Sequence, residues 1–207
     1  MWALVEDNTI TKIINNPKAM AIGDTQYSRN IFSFRWSNAE REAIGIYEIV
    51  FNNTNKKDEA YYTNTNQSFA FADGVVTASY GSATAKAHAD TLFTSDDEDN
   101  GLGTEGEVKI EGLKTKKIRS VKVQAASILT QTDWYIVRKA DANTAVPSAI
   151  TNHRAAVRTK CAAMETAITN ASNTAAIETL YTYVNTADEG DPEVFERPLG
   201  EFPVLGS

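Results

Sequence analysis

The segment LKTKKIRSVKVQAASILTQTDWYIVRKADANTAVPSAITNHRAAVR, residues 113–158, decides most of what the sequence predicts about the fold. Its apolar residues first recur at steps of three and four, from Ile118 to Ile128, which lines one face of a helix. Residues 134–137, Trp-Tyr-Ile-Val, form an aromatic and β-branched run that is typical of a buried strand. Pro147 then opens a second helix, because proline is favoured at the first turn. The segment therefore predicts a helix, a strand and a second helix. The apolar stripe of the second helix consists of Ile150, Val157, Cys161, Met164 and Ile168.

Two strings in this segment, QTDWYIVRKA (131–140) and AVPSAITNHRAAVRT (145–159), carry a family resemblance. The two strings come after an amphipathic helix. They contain Thr-Asp-Trp, then a hydrophobic run that ends in arginine, and then a proline-opened helix rich in alanine and arginine. This pattern resembles the carboxy-terminal region of small tail proteins of tailed bacteriophages, described as tail fibre assembly or tail assembly chaperone-like proteins. The resemblance extends upstream into GIYEIV (45–50) and DGVVT (73–77). The matching positions are Thr132, Asp133, Trp134, Arg138, Pro147, Arg154 and Arg158.

The resemblance implies a non-enzymatic structural protein of the phage tail that binds other tail or fibre proteins. It also implies a homo-oligomer within a larger assembly, located in the virion tail after assembly in the host cytoplasm. A transient fibre-assembly chaperone is the alternative within the same family. Trp134, Arg138, Arg154 and Arg158 are the residues of this segment that we expect at a partner interface. For the three arginines, ion pairs on the chain's own surface are the simpler alternative.

Composition limits the function classes. The chain has 207 residues, 42% of them hydrophobic and 23% charged, which suits one globular domain or two modest ones. A net charge of −7 argues against a nucleic-acid partner, because phosphates require a basic surface. We expect no signal peptide and no membrane span, since no apolar run approaches about 20 residues. The single cysteine, Cys161, lies on an apolar helix stripe and is expected to be a small buried hydrophobe.

The remaining patterns predict an α+β fold. Residues 1–94 form a β-rich module of short antiparallel strands, with a hairpin at Asp7-Asn8 and a helix opened by the capping box of Ser37 and Glu40. Within this module we also predict a strand near residues 30–34 and a helix over residues 83–93. An acidic linker loop follows at 95–111, then a helical module with the central tryptophan strand at 112–185 and an extended tail at 186–207.

The tail has no helical period, but its apolar residues require cover. Phe195, Leu199 and Phe202 are the anchors that we expect to bind a partner. The tail is therefore predicted to lie extended, either along a neighbouring subunit or back across its own module.

The acidic linker permits two interpretations. Asp96, Glu98, Asn100 and Glu107 stand at positions 1, 3, 5 and 12 of an EF-hand-like loop, the spacing with which oxygen ligands surround Ca²⁺. Glu98 replaces the usual Asp or Asn, and Gly112 would interrupt the exiting helix. The sequence thus favours a solvated acidic loop and no cofactor, with a calcium loop as the alternative.

Two further functions are alternatives to a structural role. A host-surface glycan-binding module would expose Tyr61, Tyr62, Phe69 or Phe71 for stacking on sugars, whereas a structural module would use these rings as core. An enzyme is not expected, because His88 and His153 have no metal-binding or nucleophile spacing around them.

Overall fold

The computed structural model describes residues 1–206, which divide into two compact units, Met1–Thr84 and the chain from Ala85 onward. Strands dominate the first unit and helices the second, so the predicted α+β class is confirmed. The elements of the first unit are β1 (Trp2–Glu6), β2 (Thr9–Ile14), β3 (Met20–Ile22), β4 (Thr25–Tyr27), a 3₁₀ helix (Arg29–Phe32), α1 (Asn38–Glu42), β5 (Ile46–Asn52), β6 (Tyr62–Thr63), β7 (Ser68–Ala72) and β8 (Val75–Ser79).

A curled five-stranded sheet with the order β2-β1-β5-β8-β7 forms the first unit. Every pair is antiparallel except β5 and β8, which run parallel. Tight turns close the hairpins: Asp7 and Asn8 both have positive φ, as do Asp73 and Gly74. Such turns match the right-handed twist of the flanking strands. The predicted hairpin at Asp7-Asn8 is therefore confirmed.

Apolar side chains cover both faces of the sheet. One face carries a buried cluster of Ala3, Val5, Ile49, Val76 and Ala78. On the other face Leu4, Ile14 and Ile46 are covered by half-buried residues from the β3–β4 hairpin, the 3₁₀ helix and the end of α1. Strand β1, which lies between β2 and the central strand β5, is therefore buried on both faces.

The predicted strand near residues 30–34 is wrong, and Arg41 supplies the reason. The buried guanidinium of Arg41 donates to the carbonyl oxygens of Ile31 (3.3 Å), Ser33 (3.1 Å) and Trp36, and it stacks on the Trp2 ring at 4.5 Å. Carbonyls that converge on one cation cannot form a strand ladder. The Ser37 capping box behind Arg41 is confirmed.

Helices α3 and α5 organise the second unit. The start of α3 lies by the end of α5, since Lys114 Nζ donates to the Thr169 carbonyl (2.8 Å). The other ends also meet, since Arg154 donates to the Leu129 carbonyl (2.7 Å), so the two helices are antiparallel. The elements from the division onward are β9 (Thr84–Ala85), β10 (Thr91–Leu92), α2 (Ser95–Asp99), β11 (Val108–Ile110), α3 (Leu113–Thr130), α4 (Asp133–Ala142), α5 (Ser148–Asn170), α6 (Thr174–Tyr181), β12 (Val184–Asn185) and β13 (Phe195–Glu196).

The predicted helix over residues 83–93 is also wrong. This segment instead supplies acceptors to the first turn of α3, whose amides have no intrahelical partners. Leu113 N donates to the Ala87 carbonyl (2.9 Å) and Lys114 N to the His88 carbonyl (3.0 Å). The contact requires glycine at 112, because a Cβ there would lie 2.3 Å from the Ala89 oxygen. Tertiary contacts therefore override the helix propensity of the alanines.

Asp90 completes this cap, and we expect Asp90→Asn to alter the dependence of stability on pH. Its carboxylate accepts hydrogen bonds from the Thr115 hydroxyl (2.7 Å) and the Gly112 amide (2.6 Å), which together lower the pKa of Asp90. A lowered carboxyl pKa stabilises the fold above the unfolded-state pKa, and the contribution is lost as pH falls through the lower folded-state value. The variant should therefore be less stable than the wild type at neutral pH, and the difference should shrink below about pH 4.

Urea unfolding across this pH range measures the effect. Asp24→Asn, which makes the same change in the exposed turn between β3 and β4, is the matched control and should be as stable as the wild type at neutral pH. A difference between Asp90→Asn and the wild type that stays constant from neutral pH to acid would contradict the assignment.

Candidate partner-binding surface

The tryptophan segment is a helix and not the predicted buried strand. Helix α4 begins directly after α3, with only Gln131 and Thr132 between them. Asp133 stands in its first turn, where a carboxylate complements the helix dipole, and Asn143 ends it with φ of +48°. The four residues 134–137 suit a strand as well as a helix, so their local pattern does not determine which of the two forms.

Arg154 of α5 fixes the α3–α4 junction. Its Nη1 donates to the Leu129 carbonyl (2.7 Å) and the Thr132 hydroxyl (2.7 Å), and it pairs with the Asp133 carboxylate (2.8 Å). A cation thus meets the carboxyl end of one helix and an acid at the amino end of the next. Arg154 is buried, so its predicted place at a partner interface is corrected: it is an internal clamp.

Helix α4, whose start Arg154 holds, lies at the protein surface. Every side chain of α4 is at least partly exposed, including Trp134 (50%), Ile136 and Val137 (65%). The Trp134 ring stacks on Tyr135 with centroids 3.7 Å apart, and the Arg138 guanidinium lies 5.7 Å from its centre. Trp134 and Arg138 are therefore brought together on one surface, and Arg158 is exposed on α5. We call the surface formed by Trp134, Val137 and Arg138 the α4 face.

The tail folds back on its own unit, which is one of the two predicted arrangements. Leu199 is 3% exposed and packs with Val121, Met164 and Ile168, while half-buried Phe202 covers the same cluster. Leu199 and Phe202 therefore serve as internal anchors in the structure. Phe195, in contrast, stays 57% exposed in β13.

The aromatic residues weighed for glycan binding do not form an open face. Tyr61 is buried, and Phe69 and Phe71 are half-buried against the sheet cluster of the first unit. Phe71 meets Tyr47 edge to face, with ring centroids 4.8 Å apart. Tyr62 is half-buried. A structural role for the rings predicts such buried and half-buried positions.

The acidic linker is more ordered than a loop. Thr94 and Asp97 form a capping box that starts α2, and Lys109 of β11 binds Asp97 at 2.6 Å. Asp96 and Glu98 occupy this helix, and Glu98 accepts the Glu105 amide (3.0 Å).

The four residues of the calcium spacing are not gathered around one point. The Asn100 side chain donates to the Asp96 carbonyl (2.6 Å), and Glu107 is exposed beyond the turn. Within residues 1–206, no three His, Cys, Asp or Glu side chains are grouped to hold a metal ion. Calcium binding here stays a prediction, and this geometry does not support it.

Other titratable groups serve local packing. Cys161 is half-buried on α5, and burial, with the adjacent Glu165 carboxylate 3.3 Å away, raises its thiol pKa. A raised pKa leaves less of the thiolate, the reactive form.

His153 lines a groove of about 340 Å³ between α5 and the end of the tail. In the described part of the chain, no helix is both long and apolar enough to cross a membrane.

Sequence reasoning missed several outward-facing residues. Phe34 is 94% exposed although residues 30–34 are predicted to form a strand, and Val137 is exposed although residues 134–137 are predicted to form a buried strand. The pairing of Asp133 with Arg154 was also missed, although an acid in the first turn of α4 suits the helix dipole. Comparison of the chain with protein-family models, curated proteins and solved structures finds no match.

Proposed function

We propose that this chain is a non-enzymatic structural protein of a bacteriophage tail, which holds a fibre or similar appendage through protein–protein contacts. The observation that carries the proposal is the α4 face. Trp134 and Val137 are one helical turn apart, both are at least half exposed, and Arg138 borders them. Tryptophan and arginine are enriched among the residues that dominate the free energy of protein interfaces.

The anchoring of this face supports a binding role. Three contacts of Arg154 fix the start of α4 before any partner arrives. A surface that is ordered in advance loses less conformational entropy on association. The residues of the α4 face also fall within the string that resembles phage tail proteins.

Complementation of a phage that lacks this gene tests the proposal. We expect the wild-type chain, supplied in trans, to appear by mass spectrometry in purified particles at a fixed copy number. The double variant Trp134→Ser/Val137→Ser should fold but be lost from the particles, because its apolar contacts are removed. Val108→Ser, which replaces an exposed valine of β11, is the control and should be incorporated normally.

The same experiment separates the two roles within the family. A chain that is required for fibre attachment yet absent from finished particles would be a transient chaperone instead of a resident part. Normal incorporation of the Trp134→Ser/Val137→Ser variant would contradict a role for the α4 face.

A further inference from the structure

The loop around Phe34 has an ordered backbone and exposes an aromatic side chain to solvent. Phe34 is 94% exposed, the highest value among the large apolar residues that the structure leaves uncovered. The backbone on either side is held, because Ser33 and Trp36 direct their carbonyls to buried Arg41. Trp36 N also donates to the Ser33 carbonyl (3.2 Å). We call residues 28–36 the Phe34 loop.

A held loop with an uncovered ring has the properties of an interface anchor. Burying the ring would remove a large apolar area from water, and the loop would lose little conformational freedom because its backbone is already ordered. The loop carries two arginines, Arg29 and Arg35, and no acid. Neither arginine forms an ion pair with any residue between 1 and 206, so the complementary surface is apolar with an acidic border.

The second unit contains a cleft with that character. It has a volume of about 280 Å³ and lies beside the β12–β13 hairpin, with the rings of Tyr183 and Phe195 in its wall. Both rings are more than half exposed. The other lining residues are Glu196, Arg197, Gly200 and Glu201. We call this the hairpin cleft.

The β12–β13 hairpin that borders the cleft is rich in acidic residues. Arg197 pairs with Glu201 at 2.7 Å, so these two charges offset each other, while Glu196 remains on the rim. From Val184 to Glu196 the sequence contains no lysine or arginine. The acids of this stretch are Asp188, Glu189, Asp191, Glu193 and Glu196.

We propose that copies of this protein associate head to tail, with the Phe34 loop of one copy seated in the hairpin cleft of a second copy. The Phe34 ring contacts Tyr183 and Phe195, and Arg35 and Arg29 face Glu196 and the acids of the hairpin turn. The apolar contact supplies most of the affinity, and the opposite charges orient the loop. The inference names a second copy as one partner of the proposed tail protein, and in this it rests on the proposed function.

Such a contact has a consequence for assembly. The two surfaces differ, so the interface is heterologous and leaves one free loop and one free cleft on every dimer. Repetition of the contact therefore builds a ring or an open chain of copies.

Sedimentation velocity on purified protein tests the contact. We expect the wild type to form species larger than a dimer as concentration rises toward about 1 mM, where a contact with millimolar Kd is populated. Phe34→Ser and Phe195→Ser should each raise the apparent Kd at least about tenfold. Leu102→Ser, at another exposed apolar position, is the matched control and should associate as the wild type does.

Mixing the two variants is the decisive step. The Phe34→Ser copy keeps its cleft and the Phe195→Ser copy keeps its loop, so together they should form a dimer and nothing larger. The charge exchange Arg35→Glu with Glu196→Arg in one chain should restore association that either single change weakens.

Three results would overturn the inference: a wild type that stays monomeric at every concentration, association that neither serine variant affects, or a variant mixture that remains monomeric. Each is independent of whether the chain is found in phage particles, so failure of this contact is distinguishable from failure of the proposed function.

Discussion

Leu199→Ala is expected to lower the free energy of unfolding of the second unit by about 3 kcal/mol. The side chain is 3% exposed and packs against Val121, Met164 and Ile168, so its removal leaves a cavity between α3 and α5. Leucine-to-alanine changes in packed cores cost about 2–5 kcal/mol. Urea unfolding followed by helical circular dichroism measures the loss, because the long helices belong to this unit.

The control for this prediction is Leu205→Ala, which makes the same change six residues later at an exposed position. It should alter the free energy of unfolding by less than about 0.5 kcal/mol. Equal stabilities for the two variants would mean that the tail does not contribute to the core of this unit.

Arg154→Ala is expected to destabilise the same unit by about 2–3 kcal/mol and to loosen α4. The change removes the charged donor from the Leu129 carbonyl and the buried Thr132 hydroxyl, although that hydroxyl still donates to that carbonyl (3.0 Å). Hydrogen bonds to a charged group contribute about 1.5–3 kcal/mol. The loss of the Asp133 ion pair adds little, because that carboxylate is exposed. Hydrogen exchange should show lower protection of the α4 amides than of the α5 amides.

Arg158→Ala is the control for the clamp, since this arginine lies one turn further along α5 and is exposed. It should leave both the stability and the α4 exchange rates close to wild type. If both arginine variants exchange alike, the three contacts of Arg154 do not hold α4.

The clamp connects stability to the proposed function. Arg154 is the residue that orders the α4 face, so Arg154→Ala should impair partner binding without removing any residue of that face. Replacing Trp134 and Val137 has the opposite profile, with binding lost and stability kept.

Local patterns gave correct predictions where the interacting groups are neighbours in the sequence. The turn at Asp7-Asn8, the capping box of Ser37 and the long helix that follows Pro147 were all predicted correctly. Each depends on side chains within four residues of the backbone groups that they serve, so the sequence contains the whole interaction.

The predictions failed where a distant group supplies the contact. Carbonyls of the 3₁₀ helix and the following turn converge on Arg41, and segment 87–90 binds the start of α3 instead of forming its own helix. The residues of the candidate site were similarly divided: Trp134, Arg138, Arg158 and Phe195 face outward, while Arg154, Leu199 and Phe202 are used internally.

The sequence by itself therefore determined the α+β class, the hairpin turns and the long helices, because propensity, capping and apolar period act over one or two turns of chain. The tertiary structure alone decided that residues 134–137 are an exposed helix and that Leu199 belongs to a core. Those outcomes depend on groups 20 or more residues away, such as Arg154 for Thr132 and Met164 for Leu199. A local sequence pattern contains no information about contacts between residues so far apart.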